Sequence, residues 1–156
     1  MLVKKRSKPL ADIPPARFGT KPADGGNLIV EVDEYAEVAA DPVAAKYLRP
    51  FRGSRELVRG LDRWCLWMGD EDFDPSDITR SHVLKQRVTD CKRFREQSSP
   101  SGDAFKLKGI PHLMRSNKDR PVVDHLLIPS VVSETRPYFT AQQVTGRVSG
   151  SLCVRL

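Results

Sequence analysis

A chain of 156 residues with 39% hydrophobic and 29% charged side chains holds one domain with a real core, since about 70% of the unfolded surface is buried at this size; wholesale disorder and a second full domain are both disfavoured. Lys and Arg outnumber Asp and Glu by 26 to 20, a net charge of +6, which favours a polyanionic partner while leaving an ordinary basic protein open. No apolar run approaches the roughly 20 residues of a membrane span, Met1-Leu2-Val3-Lys4-Lys5-Arg6 lacks the order of a signal peptide, and Cys65, Cys91 and Cys153 show neither CxxC spacing nor a nearby His, so the reading is a cytoplasmic protein with reduced, mostly buried thiols and no membrane or metal partner.

Pro9, Pro14, Pro15 and Pro22, with Gly19, Gly25 and Gly26, oppose helix formation and mark residues 1–26 as an extended Pro/Gly-rich arm. After the Asp24-Gly25-Gly26 turn, Asn27–Val32 reads as a short strand. Asp33 is positioned to cap a short helix from Glu34 to about Ala40, and Asp41-Pro42 to start a second one reaching about Leu48. Gly53-Ser54 supplies a turn and cap for Arg55–Arg59, which Gly60 ends. Trp64–Met68, an aromatic and apolar run between breakers, is expected as a strand, with its two tryptophans on opposite faces as core or supporting aromatics rather than base-stacking ones.

From Ser76 to about Gln97, Ile78, Leu84, Val88, Cys91 and Phe94 recur at helical intervals and predict one long helix. Ser98–Asp103 is a loop by composition, and Ala104–Asp124 is ambiguous, being broken by Pro111 and Pro121. His125–Val132, Tyr138–Val144 and Leu152–Leu156 are strand candidates, Pro129 being tolerated at an edge or bulge. Few helices and several short strands without regular alternation point to an α+β fold of short mixed or antiparallel strands, one long helix over about residues 76–97, and several short helices. Acidic residues gather in Glu31–Asp41 and Asp62–Asp77, whereas Arg80–Arg120 is dominated by Arg and Lys, so a cationic face is expected.

Chemistry-bearing motifs are sparse. No glycine loop follows a strand as a dinucleotide or S-adenosylmethionine cradle requires, and there is no P-loop. His82, His112 and His125 are scattered, and Asp124-His125 is at most a fragment of a hydrolase pattern. Asp12-Ile13-Pro14-Pro15-Ala16 has the prolines but not the order of the Asn/Asp-Pro-Pro-Tyr/Phe tetrapeptide with which amino-group methyltransferases hold a flipped base.

Four segments in register, "GTKPADGGNLIV" (Gly19–Val30), "DPVAAKYLRPFRGSRELVRGLDRWCLWM" (Asp41–Met68), the helix end Arg87–Ser98 and "IPSVVSETRPYF" (Ile128–Phe139), together resemble the target recognition domain of MmeI-like (type IIL/IIG) restriction-modification DNA adenine methyltransferases. Those enzymes combine an endonuclease, an adenine methyltransferase and a DNA-reading domain in one chain. The resemblance implies a recognition domain over residues 27–148, not catalytic on its own, with double-stranded DNA and a methyltransferase catalytic domain or subunit as partners. S-adenosylmethionine and Mg are then expected only in those missing partner domains. Val132-Ser133-Glu134-Thr135-Arg136 departs from the family's Ser-Ser-Glu-Arg-Arg at one arginine, and residues 149–156 are left unassigned, a truncated or altered end being one reading.

On that reading, residue chemistry assigns roles: Arg and Lys neutralise phosphates, while bidentate Arg, Asn, Gln or Glu read base edges. Base-reading candidates are Arg115, Asn117, Lys118 and Arg120, then Ser133, Glu134 and Arg136; the alternatives are a solvated loop and a structural ion pair. Phosphate candidates are Arg49, Arg52, Ser54 and Arg55 around the Gly53-Ser54 turn, and Lys85, Lys92, Arg93 and Arg95 on the long helix, against a merely solvated helix face. The rival function is a basic protein- or RNA-binding module that reads no duplex sequence, and a small hydrolase built on Asp124 and His125 is the third.

Overall fold

A computed structural model of the chain describes residues 16–115, 124–131, 138–145, 148–150 and 152–155. In chain order these residues form β1 (Arg17–Phe18), β2 (Ile29–Val30), α1 (Tyr35–Ala40), a 3-10 turn (Ala44–Tyr47), β3 (Leu48–Arg52), α2 (Ser54–Arg59), β4 (Trp64–Leu66), α3 (Asp77–Arg80), α4 (His82–Gln97), α5 (Asp103–Lys106), β5 (His125–Ile128), β6 (Gln142–Val144), β7 (Val148–Ser149) and β8 (Leu152–Arg155). They make two four-stranded sheets, ordered β1-β8-β5-β6 and β2-β4-β3-β7. Every pairing is antiparallel except β3 with β7. The architecture is therefore α+β with short mixed strands, as the sequence implies.

The main core lies between the second sheet and α4. Leu28, Val30, Cys65 and Leu66 from the strand side meet Leu84, Val88 and Cys91 from the helix, all buried. Spacing of four and then three residues puts those three helix side chains on one stripe. The entry to β2 is fixed by Asp24, whose Oδ2 accepts from the backbone N–H of Leu28 and of Ile29. Gly25 follows in a left-handed conformation at φ 66°, and a Cβ there would lie 2.6 Å from the Phe94 ring of α4. Only glycine meets both conditions.

The span expected as a single helix is divided at Ser81. This residue is extended (φ −105°, ψ 123°), its Oγ accepts from Leu84 N–H at 3.0 Å, and its hydroxyl donates to Asp41 Oδ2 at 2.6 Å. The hydroxyl gives α4 a side-chain N-cap and ties it to the Asp41 turn, which outweighs helix continuity. Asp41 caps as expected, accepting from Val43 and Ala44 N–H at 2.9 and 3.0 Å, but the segment it starts is a 3-10 turn, and Leu48–Arg52 leaves it as a strand.

The two tryptophans are both half-buried against the core. Trp64 packs on Tyr35 with ring centroids 4.3 Å apart, and Trp67 donates from Nε1 to Asp70 at 2.9 Å. They close the edge of the core, as supporting aromatics do. The N-terminal residues from 16 onward are built into the fold: Phe18 pairs with Leu152 in β8, Lys21 forms a backbone bridge to Arg115, and Thr20 and Asp24 are buried. Residues 152–155 form an inner strand of the first sheet.

Candidate nucleic-acid interface

A cleft of about 850 Å³ opens between residues 17–22, the start of α2, Arg63 and Arg115. Five cationic side chains line it, Arg17, Lys21, Arg55, Arg63 and Arg115, over an apolar floor that includes Phe18, Pro22 and Phe51. The single acid in the lining, Glu56, is buried. Its carboxylate accepts from Gly53 N–H at 2.9 Å and pairs with Arg63 at 3.4 Å. Glu56 thus caps α2 from within and occupies the Gly53 N–H.

Around that cap the expected phosphate residues separate. Arg55 projects from the first turn of α2, exposed and without an ion pair to any described residue. Ser54 lies inside the helix rather than capping it, and its Oγ accepts from Ser130 N–H at 3.0 Å, tying α2 to the end of β5. Arg63 is held by Glu31 and Glu56 and sits over the Phe51 ring, 6.0 Å from its centroid. It is a structural cation at the cleft wall.

Lys21 and Arg115 face each other across a two-way backbone bridge, Lys21 N–H to Arg115 O at 2.9 Å and Arg115 N–H to Lys21 O at 3.0 Å. Both side chains also reach one carboxylate oxygen, Oδ2 of Asp103 at the start of α5, Lys21 at 3.2 Å and Arg115 more closely. The lysine hydrogen bond, with the arginine charge beside it, holds the Asp103 carboxyl below its ordinary pKa, so it stays ionised. Arg115 is the base-reading candidate that the described residues place in the cleft; Asn117, Lys118, Arg120, Ser133, Glu134 and Arg136 lie outside them.

Arg95 leaves the phosphate set. It is fully buried, and its guanidinium donates to five backbone carbonyls: Ala23 (3.0 Å) through Nε, Leu107 (3.2 Å) and Ile110 (3.0 Å) through Nη1, Pro22 (3.2 Å) and Leu113 (2.8 Å) through Nη2. An arginine has five N–H donors, and all are consumed. Burial lowers its pKa from the usual guanidinium value, with Cys91 and Asp24 opposing that shift. Through those five bonds Arg95 joins the carbonyls beside Lys21 to those before Arg115, behind the backbone bridge of these two residues.

The remaining candidates stand apart from the cleft lining. Arg49 is half-buried, donating to Lys46 O and Leu48 O at 2.6 and 3.0 Å, and it borders an acidic hollow containing Asp70, Asp72, Asp74 and Asp77. Arg52 is half-buried and 3.8 Å from Asp62. Lys85, Lys92 and Arg93 are exposed on α4, with Lys92 3.9 Å from Glu96 and Arg93 2.7 Å from Asp90. In the acidic hollow, Asp77 is buried and engaged by Tyr47 Oη at 2.8 Å, Lys46 at 3.1 Å and Arg80 at 2.8 Å. Among the described residues no group of three or more His, Cys, Asp or Glu is arranged to hold a metal, and no helix is long and apolar enough to cross a membrane.

Sequence reasoning passed over Arg17 and Lys21 because they fall in the proline-rich arm. The available signal was the short run Arg17-Phe18-Gly19-Thr20-Lys21, where cations interleave with an aromatic residue, a pattern suited to nucleic acid.

Comparison with known proteins gives one consistent answer. The family model for the MmeI target recognition domain matches residues 1–151. DNA methyltransferase A of Bacillus subtilis (strain 168) is 32% identical over 139 residues, which is 88% of this chain and 15% of that protein. The solved structure of the Type IIL restriction-modification enzyme MmeI in complex with DNA matches 99% of this chain with a TM-score of 0.83 and 28% identity, and the match covers 21% of the MmeI chain. This chain therefore spans only a small part of the relatives it matches.

Proposed function

The chain belongs to the MmeI target recognition domain family, and we propose that it reads double-stranded DNA through the cationic cleft on behalf of a methyltransferase domain or subunit. The observation that carries this reading is the joint placement of exposed Arg55 and the bridged pair Lys21 and Arg115 in one cleft. Arg55 and Arg17 then neutralise phosphates, which fixes register without reading sequence, while Lys21 is answered by Asp103. Arg115 reads a base edge, because a guanidinium held in one plane gives two parallel hydrogen bonds to guanine O6 and N7. Asn117, Lys118, Arg120, Ser133, Glu134 and Arg136 extend the reading set by residue type.

Adenine-N6 transfer belongs to the partner, which supplies S-adenosylmethionine and the pocket for the extruded base, with Mg needed where that partner also cleaves DNA. The working compartment is the cytoplasm of a bacterial-type cell. This chain contributes position and sequence choice, not chemistry.

Fluorescence anisotropy with duplexes drawn from a randomised pool tests the reading. Affinity is expected to fall steeply with salt, and repeated selection is expected to enrich one sequence. Equal binding to every duplex, or a preference for single-stranded RNA, overturns it in favour of a general basic binding module.

A further inference from the structure

We propose that Asp103 is a specificity-determining positioning residue that orients Arg115 for base reading and keeps Lys21 from gripping phosphate indiscriminately. The inference rests on the duplex-reading function above and goes beyond it in assigning a role to an acid outside the cleft lining. Three observations carry it. Lys21 and Arg115 line the cleft, while Asp103 is not part of its lining. Both cations converge on the same carboxylate oxygen. Their backbones are locked to each other by the two-way bridge, and the flanking carbonyls of Pro22, Ala23 and Leu113 are fixed by buried Arg95. The backbone is therefore set, and what remains free is side-chain rotation, which the carboxylate restricts.

A long arginine without such a partner samples many rotamers and delivers its charge to whatever phosphate is near. With Nη1 held by a carboxylate oxygen, the guanidinium samples fewer orientations and keeps Nε and Nη2 for a bidentate base contact. The same carboxylate reduces the local positive charge, so it weakens attraction to phosphates that carry no sequence information. Orientation and charge thus act in the same direction, toward selectivity at the expense of bulk affinity.

The test uses the full chain, a randomised duplex pool, and the sequence that the unmodified protein enriches from it. Asp103→Asn is expected to bind the unselected pool more tightly, by up to roughly tenfold at 0.1 M salt, with a salt slope steeper by about one ion. Its preference for the enriched sequence over single-base-pair variants should fall about tenfold at the pair read by Arg115. Arg115→Ala should lose discrimination at that same pair, and adding Asp103→Asn to it should cause no further loss there. Asp103→Glu, which keeps the charge on a longer stem, should return pool affinity to the original level; that result also shows that the fold tolerates change at this site.

Unchanged discrimination in Asp103→Asn overturns the proposal while leaving Arg115 as an unaided reader. An equal loss with and without Arg115 overturns it too, because the effect then does not pass through that side chain. Failure of the unmodified protein to enrich any sequence is a different result: it removes the duplex-reading function and this role with it.

Discussion

Two sets of arginines with similar sequence surroundings do opposite work in this molecule. Arg87 and Arg95 of α4 turn inward: Arg87 donates to Asn27 O and Ile29 O and pairs with Glu34, and Arg95 fills five carbonyls. Arg55 and Arg115 at the cleft turn outward and remain exposed. What separates them is the supply of backbone carbonyls. Where loops end in a buried niche, a guanidinium is the side chain with enough donors to satisfy them; where the backbone is already paired, as at the Lys21–Arg115 bridge, no carbonyl draws the side chain inward and it stays at the surface, answered by Asp103. The first set should govern stability and the second binding, and this difference can be tested.

The largest effect is expected at Arg95. Arg95→Ala leaves five carbonyls without their donor in a buried site, and a loss of about 3–5 kcal/mol in urea unfolding is expected, the range for removing one partner of a buried charged network. Arg95→Lys should recover only part, since an ammonium has three N–H groups for five acceptors. A stable Arg95→Ala variant with weakened DNA binding would break the comparison, for it would return Arg95 to the phosphate set. Arg87→Ala should cost less, about 1–3 kcal/mol, because it loses two carbonyl bonds and one half-exposed ion pair.

The acidic hollow beneath the same body carries a pH signature. Asp77 is held below its ordinary carboxylate pKa of 3.8, first by the Tyr47 hydroxyl and then by Lys46, with Arg80 adding charge. A folded pKa below the unfolded one means that its contribution is complete above about pH 3.8 and is lost as pH falls through the lower folded value. Acid titration followed by circular dichroism should therefore show a steeper stability loss below pH 3.8 in the unmodified protein than in Asp77→Asn. Identical acid limbs would show that the hollow does not stabilise the fold.

At the cleft the expectation reverses. Arg55→Ala should leave stability within about 0.5 kcal/mol, as for other exposed positions, and should reduce the slope of log affinity against log salt by about one. A change in unfolding without a change in slope would place Arg55 with the structural set.

How far these roles were legible follows from the physics. The α+β class, the Asp24-Gly25-Gly26 turn, the Asp41 cap and the Leu84, Val88 and Cys91 stripe were readable because each depends on local pattern. The break at Ser81 was not, since the same Ser suits a helix interior or a cap until Asp41, distant in sequence, takes its hydroxyl. Arg95 reads as a phosphate residue for the same reason: it follows Lys92 and Arg93 on a basic helix, and the five carbonyls that turn it inward come from segments distant in sequence. Arg115 was legible as a polar residue beside a turn. Its partners Lys21 and Asp103 were not, because the cleft joins segments that are far apart in the chain.

The smallest expected effect concerns the outer face of α4, where Lys85, Lys92 and Arg93 give a third set of cations, exposed as in the cleft yet partly answered by Asp90 and Glu96. Exposed pairs at this spacing contribute only about 0.2–1 kcal/mol, and their field is screened within roughly 10 Å at 0.1 M salt. Neutralising any one of them should move stability by no more than about 0.5 kcal/mol. If DNA lies in the cleft alone, each of Lys85→Ala, Lys92→Ala and Arg93→Ala should also leave the salt slope unchanged, in contrast to Arg55→Ala. A loss of about one in slope at Lys92 or Arg93 would mean that the phosphate track continues over the helix. The division would then lie not between helix and cleft but between the two faces of α4, with Arg87 and Arg95 holding the body together on one side and the outer cations meeting DNA on the other.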